Sequence, residues 1–196
     1  MMGQLVALHR VSGETTDLSD EALLAACATG DRAALGAFFD RFHAAVYRFV
    51  SRLRTVDEMS RDDVVQATFL DVPRIATEFN GLSTVKTWLL GVASNLALHH
   101  SRGEQRRRVR QGTFAAAPPS EAKRPDLELD RRRTLGRIAE AVARLPHDQQ
   151  VAFILCDLEH VRGVDVARTL GIPEGTLWRR LHAARKAVRA AVGGVS

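Results

Sequence analysis

Trp178, Arg179, His182, Arg185 and Lys186 crowd into one short stretch near the C-terminal end of the chain. At helical spacing, Trp178, His182, Arg185 and Arg189 share a face, flanked by Arg179 and Lys186. These residue types suit recognition of a polyanion. An Arg fork pairs bidentately with guanine O6 and N7 or with phosphate, and an indole adds apolar contact and one donor. Thr176 can support the first turn of that helix. The opposite face, Leu177, Leu181, Ala184 and Val188, is apolar and turns inward. Just upstream, Val164, Ala167 and Leu170 form one apolar side of a shorter helix. Gly171 can end that helix in a left-handed conformation, and Pro173 suits the start of the next. Residues 163–188 therefore predict a helix-turn-helix whose basic second helix enters a DNA major groove. A solvated basic hairpin is the plainer alternative. The small, turn and core residues at Ala167, Gly171 and Leu177 favour the DNA reading.

Composition agrees. The 196 residues carry a net charge of +5 and are 45% hydrophobic, enough for real cores and a polyanionic partner. Of 28 basic residues 25 are Arg, which supplies planar forks. Other chemistries find little support. His99 and His100 are adjacent and point about 100° apart on a helix, so they chelate poorly together. There is no HExxH, no CxxC and no phosphate-binding glycine loop. Cys27 and Cys156 read as buried thiols of a reducing compartment. No apolar run reaches membrane-spanning length, and the N-terminus lacks a signal-peptide pattern. The expectation is a cytoplasmic protein with no membrane insertion, no catalytic residues, no metal site and no cofactor.

Helical patterning runs through nearly the whole chain. Ser19 caps a short helix at Glu21–Ala28, and Thr29-Gly30-Asp31 breaks it. A long helix follows over Arg32–Arg54, with Phe38, Phe39, Phe42, Tyr47 and Phe49 mostly on one side. After a polar turn comes a helix at Asp62–Thr77. Val65, Phe69, Val72 and Ala76 face its inside, and Asp63, Gln66, Leu70 and Arg74 its outside. Ser83 or Thr84 caps a helix through Trp88, Val92 and Leu96 into the basic run Arg102–Arg110. Gln111–Asp126 holds three prolines and four alanines without a periodic apolar face, and reads as an extended linker. Helices at Leu129–Arg144 and His147–Cys156 then lead into the helix-turn-helix. The prediction is an all-α chain. An N-terminal extension (1–17) precedes one small helical domain (18–110), and a flexible linker (111–127) precedes a second (128–196).

Taken together, LLAACATGDRAALGAFFDRF, DDVVQATFLDV, KTWLLGVASNLALHHSR, LPHDQQVAFILCDLEHV and GVDVARTLGIPEGTLWRRLHAARKAV resemble a bacterial RNA polymerase sigma factor. The resemblance is to the extracytoplasmic-function (ECF) subfamily of the sigma-70 family and covers about residues 18–192. It implies that the first domain is sigma-2-like. Asp62, Asp63, Gln66 and Leu70 would then bind the β′ clamp helices of core polymerase. Phe79, Asn80, Lys86, Asn95, Arg102, Arg106, Arg107 and Arg108 would contact the -10 element and melted DNA. It implies that the second domain is sigma-4-like and sits at the β flap. Thr176, Trp178, Arg179, His182, Arg185 and Lys186 would read the -35 element there. Promoter DNA, core polymerase and an anti-sigma factor are the partners the family implies. Four places depart from the family pattern: His99, Pro73 within the clamp-binding helix, Trp178, and the helix start at Arg162-Gly163-Val164.

Two other readings compete. A stand-alone regulator with a helical dimerisation or sensor domain explains residues 129–192 equally well. It leaves the outer face of Asp62–Thr77 and the Arg run after Trp88 without a role. An adaptor whose basic faces are merely solvated would show no salt-dependent DNA binding.

Overall fold

The computed structural model describes residues 18–111 and 127–193, with side chains except at 105, 107–111, 127–134 and 193. The expected N-terminal extension and nearly all of the expected linker lie outside the described residues. Gln111 and Leu127, assigned to the linker from sequence, are helical.

Eight α-helices and no strands make up the described residues. The first is α1 (Asp20–Ala28), capped by Ser19 Oγ, which accepts from the Ala22 amide at 3.1 Å. Gly30 turns the chain with a positive φ, and Asp31 then caps α2 (Arg32–Arg52) by accepting from Ala33 and Ala34. Next is α3 (Arg61–Ile75), which runs on through Pro73 and ends in a 3₁₀ turn at Ala76–Glu78. Pro73 lies in the last turn, and its missing amide deprives the Phe69 carbonyl of its helical donor. Thr84 rather than Ser83 caps α4 (Val85–Gln111), its Oγ1 accepting from the Thr87 amide at 3.1 Å.

The C-terminal half comprises α5 (Leu127–Arg144), α6 (His147–Phe153), α7 (Gly163–Thr169) and α8 (Glu174–Gly193). Helix α6 runs directly into a π turn at Ile154–Leu158, where the Glu159 amide donates to the Ile154 carbonyl at 2.9 Å. Helical patterning alone predicted a regular helix to Cys156. The π turn widens the ladder and rotates the following side chains relative to a regular helix. Gly171 takes φ +63° between α7 and α8, as the turn requires.

Phe38, Phe42 and Phe49 of α2 are buried with Phe69 of α3. Phe39 stacks edge-on to Phe69 at 4.8 Å, whereas Tyr47 faces outward. The apolar faces predicted for α3 and α8 are inside: Val65, Phe69, Val72 and Ala76, and Leu177, Leu181 and Ala184. On α7 the fully buried residues are Val166 and Ala167, with Val164 and Leu170 only partly covered.

The two halves do not hang separately on a string. One hydrophobic cluster runs from Leu23 and Phe38 through Val85, Leu89 and Ala93 to Ile154, Leu155, Val166 and Leu177. A smaller cluster, Val142, Phe153, Leu181 and Ala184, belongs to the C-terminal half alone. Periodicity identifies each apolar face, but not that the faces of α4 and α7 meet each other. Their approach is close at Gly91, where a Cβ would run into Thr169 Cγ2.

Candidate nucleic-acid and polymerase interfaces

Helix α8 turns Leu177, Leu181 and Ala184 into the core and so must present its other side outward. Trp178, Arg179, His182 and Lys186 are all exposed there. Thr176 is half-buried and its Oγ1 accepts from Arg179 Nη2 at 3.2 Å. Trp178 remains 47% exposed, but the tip of its ring lies against Gly163. A Cβ at Gly163 would meet Trp178 Cζ2 and Cη2 at 2.8 Å. The two departures from the family pattern, Trp178 and Gly163, thus fit each other: the bulky ring needs the missing side chain.

Arg185 occupies the edge of the same side of α8. Asp157, in the π turn, accepts from Arg185 Nε at 2.9 Å and from Nη2 at 2.6 Å. The hydrogen bond to Asp157 holds the guanidinium pKa above its usual value. Arg185 is therefore held in a fixed geometry, whereas His182 and Lys186 have no such anchor among the described residues.

The outer face of α3 is as expected from its periodicity. Asp62, Asp63, Gln66 and Leu70 are exposed, with Leu70 68% accessible. Asp62 and Asp63 also lie in the first turn, where negative charge complements the helix dipole. Arg74 on the same side is taken up by Asp71, at 2.7 and 2.8 Å.

The residues expected to handle the -10 element fall into two groups. Phe79 is half-buried and packs edge-on to Trp88 at 5.8 Å. Asn80 is exposed and its Oδ1 accepts from the Leu82 amide at 3.1 Å, forming a tight turn before Gly81 at φ +69°. Trp88 packs against the core, as its neighbours Leu89, Val92 and Leu96 suggested. Farther along α4, Asn95, Arg102 and Arg106 are exposed. Twenty residues of helix separate Lys86 from Arg106, about 30 Å, so the two groups address different places. Arg107 and Arg108 belong to α4, and their side chains lie outside the described set.

Lys86 is engaged by the other half of the chain. Its Nζ donates to Glu159 Oε2 at 2.8 Å, and Arg52 Nη1 donates to Glu159 Oε1 at 2.7 Å. Glu159 is 11% exposed in its side chain. Burial raises its pKa, but hydrogen bonds and charge from Lys86 and Arg52 outweigh that and leave it below the ordinary value. His147 also bridges the halves. Its Nδ1 lies 3.1 Å from Thr55 Oγ1 and its Nε2 lies 3.3 Å from Ser94 Oγ. Gln150 is fully buried; its Oε1 accepts from the Arg54 amide and its Nε2 donates to the Val142 carbonyl. Thr169 Oγ1 donates to Ser83 Oγ at 3.0 Å.

Sequence reading missed Asp157, Glu159, His147 and Gly91, and marked Gly163 only as part of an unusual helix start. Nothing local marks Asp157 or Glu159, because each acts on a partner far away in the chain. Gly91 carried a faint signal, as a glycine inside a predicted helix without a turn role. No cluster of His, Cys, Asp or Glu among the described residues could hold a metal, and no described helix is long and apolar enough to cross a membrane.

Comparison with known proteins matches this arrangement. Residues 38–107 fit the family profile of Sigma-70 region 2, and residues 135–188 that of Sigma-70, region 4. The probable RNA polymerase sigma-C factor of Mycobacterium bovis is 33% identical over 178 residues, 89% of this chain and 94% of the relative. The ECF RNA polymerase sigma factor SigM of Mycobacterium tuberculosis is 30% identical over 174 residues, 88% of this chain and 84% of its own. Two solved structures share the fold. CnrH, in complex with the cytosolic domain of CnrY, superposes with a TM-score of 0.63 at 21% identity over 90% of this chain and 99% of its own. RpoE of Bartonella quintana, in complex with the anti-sigma factor NepR, gives 0.61 at 22% identity over 81% of this chain and 96% of its own. A stand-alone regulator leaves the match at residues 38–107 without an explanation. The chain belongs to the sigma-70 family, as an ECF sigma factor that directs transcription initiation by RNA polymerase.

Proposed function

We propose that this sigma factor docks on the β′ clamp helices of core polymerase through Asp62, Asp63, Gln66 and Leu70. The exposed side of α8 reads the -35 element, with the second half seated at the β flap. Phe79, Asn80 and Lys86 handle the -10 element, and Asn95, Arg102 and Arg106–Arg108 follow the adjacent DNA. The carrying observation is a pair of outward faces of opposite character. On α3 an acidic and apolar face projects from a helix whose other side is fully engaged in the core. On α8 an aromatic and basic face does the same. An extruded base needs a pocket and backbone charge contacts, which the 79–86 segment and the basic side of α4 are suited to supply.

Catalysis belongs to the polymerase in this reading, and the chain contributes no reacting group. Its place of action is the cytoplasm, beside the polymerase. RpoE is held by an anti-sigma factor in its solved complex, and a protein of that class is the regulator proposed for this chain.

Run-off transcription with bacterial core polymerase tests the reading, on promoters from upstream of the protein's own operon. A discrete transcript that appears only with the protein is the expected result. No transcript, together with no co-migration with core on a sizing column, would return the stand-alone regulator.

A further inference from the structure

The contact between Asp157 and Arg185 has a chemical asymmetry. A guanidinium has five N–H donors. Asp157 takes one from Nε and one from Nη2. Of the remaining donors, the second on Nη1 points back toward Cδ, while one on Nη2 and one on Nη1 project together from the Nη1/Nη2 edge of the fork. Among the described residues none of them has a partner, and the Arg185 side chain is 43% exposed. That free edge has the spacing of guanine O6 and N7. Arg185 lies one turn beyond His182 and two turns beyond Trp178, on the side of α8 already assigned to DNA.

An unanchored Arg loses rotamer freedom when it binds, and a preorganised one loses less. Asp157 removes that cost in advance. It does so from within the π turn at Ile154–Leu158. π turns inside helices occur frequently at functional sites. The salt bridge contributes little to holding the fold: Arg185 is 43% and Asp157 22% exposed, and solvent screens such a pair.

We infer that Asp157 is a positioning residue for promoter reading: it clamps the Nε edge of Arg185 so that the Nη1/Nη2 edge is presented to one guanine of the -35 element. This rests on α8 being the recognition helix. Trp178, seated on Gly163, supplies an apolar surface two turns earlier on the same side, suited to a thymine methyl group.

The test uses holoenzyme, the full chain with core polymerase, on a promoter library randomised across the -35 element. Transcripts are sequenced to give base preference position by position. Wild type should prefer guanine at one position by about tenfold or more, and Arg185→Ala should abolish that preference. Asp157→Ala should weaken the same preference strongly and leave the other positions unchanged, with core binding intact. Arg185→Lys, which keeps the charge and loses the fork, should behave like Arg185→Ala. An intact guanine preference in Asp157→Ala would overturn the inference. So would an equal loss at every position, which would assign Asp157 to the fold alone. If Arg179→Ala shifts preferences while Asp157→Ala does not, α8 still reads DNA and only the clamp is wrong. If neither Arg179→Ala nor Arg185→Ala changes any position, the assignment of α8 itself fails.

Discussion

Glu159 accepts a hydrogen bond from Lys86 at 2.8 Å although 73 positions of chain separate them. The same carboxylate accepts from Arg52 at 2.7 Å. One acidic side chain after the π turn therefore ties the end of α2 and the start of α4 to the C-terminal half. One of the three Lys86 donors is occupied there, so Glu159 and DNA would compete for the ammonium. Glu159→Gln should lower stability by about 1 kcal/mol or less, because Lys86 and Arg52 are each about two-fifths exposed and solvated. Thermal melts at low and high salt check this. The gap between wild type and variant should narrow at high salt, as screening weakens the pair.

His147 should make stability depend on pH. Burial lowers its pKa below the ordinary 6.5, partly opposed by the hydrogen bond with Ser94 and the charge of Asp148, while Arg102 lowers it further. The folded chain thus binds fewer protons than the unfolded chain. Its contribution is fully present above the unfolded pKa and is lost as pH falls from there through the folded value. Denaturant midpoints measured from neutral pH down to about pH 5 should fall, and a His147→Gln variant should fall less steeply. Ring-proton titration by NMR should place the His147 midpoint below 6.5.

Gly91→Ala should destabilise the chain by about 1–3 kcal/mol, because the new methyl group collides with Thr169 Cγ2. Adding Thr169→Ser removes that methyl group and keeps the hydroxyl that donates to Ser83. The double variant should recover most of the loss in chemical denaturation. Full additivity of the two changes would show that the helices do not meet there.

Gln66→Ala with Leu70→Ala should weaken binding to core polymerase about tenfold or more and leave the thermal midpoint nearly unchanged. Both side chains are exposed, so their removal opens no cavity. Fluorescence anisotropy with labelled sigma factor and core checks the affinity, and calorimetry checks the fold. Normal affinity would remove this face from the interface.

Cys27 and Cys156 should resist alkylation in the native chain. Burial pushes both thiols up to about 11, aided at Cys27 by Asp31 and at Cys156 by Asp157. At mildly alkaline pH few thiolates are present, and the thiolate is the reactive form. Mass spectrometry after iodoacetamide should show little labelling until denaturant is added, and then labelling at both.

Element types and inward faces were legible in the sequence because they depend on neighbours three and four residues away. Ser19, Asp31 and Gly171 signal their caps and turns by residue type alone. The outer sides of α3 and α8 were legible as the complements of their apolar stripes. Contacts between the halves were not. Glu159 has the same local appearance whether it meets solvent or Lys86, and a helix such as His147–Cys156 gives no local sign that it will widen into a π turn. Arg185 shows the same limit: its spacing marks the outward side of α8, but only the fold reveals that Asp157 holds it.

The continuity of the core from Phe38 to Leu177 has a thermodynamic consequence. Two independent domains would melt in two steps. A chain whose halves share one buried cluster loses both together, in one cooperative transition. A substitution deep in the first half, at Phe49 or Leu89, should therefore depress the melting of the helix-turn-helix to the same extent as its own surroundings. Ligand binding at either end should raise the single melting temperature of the whole.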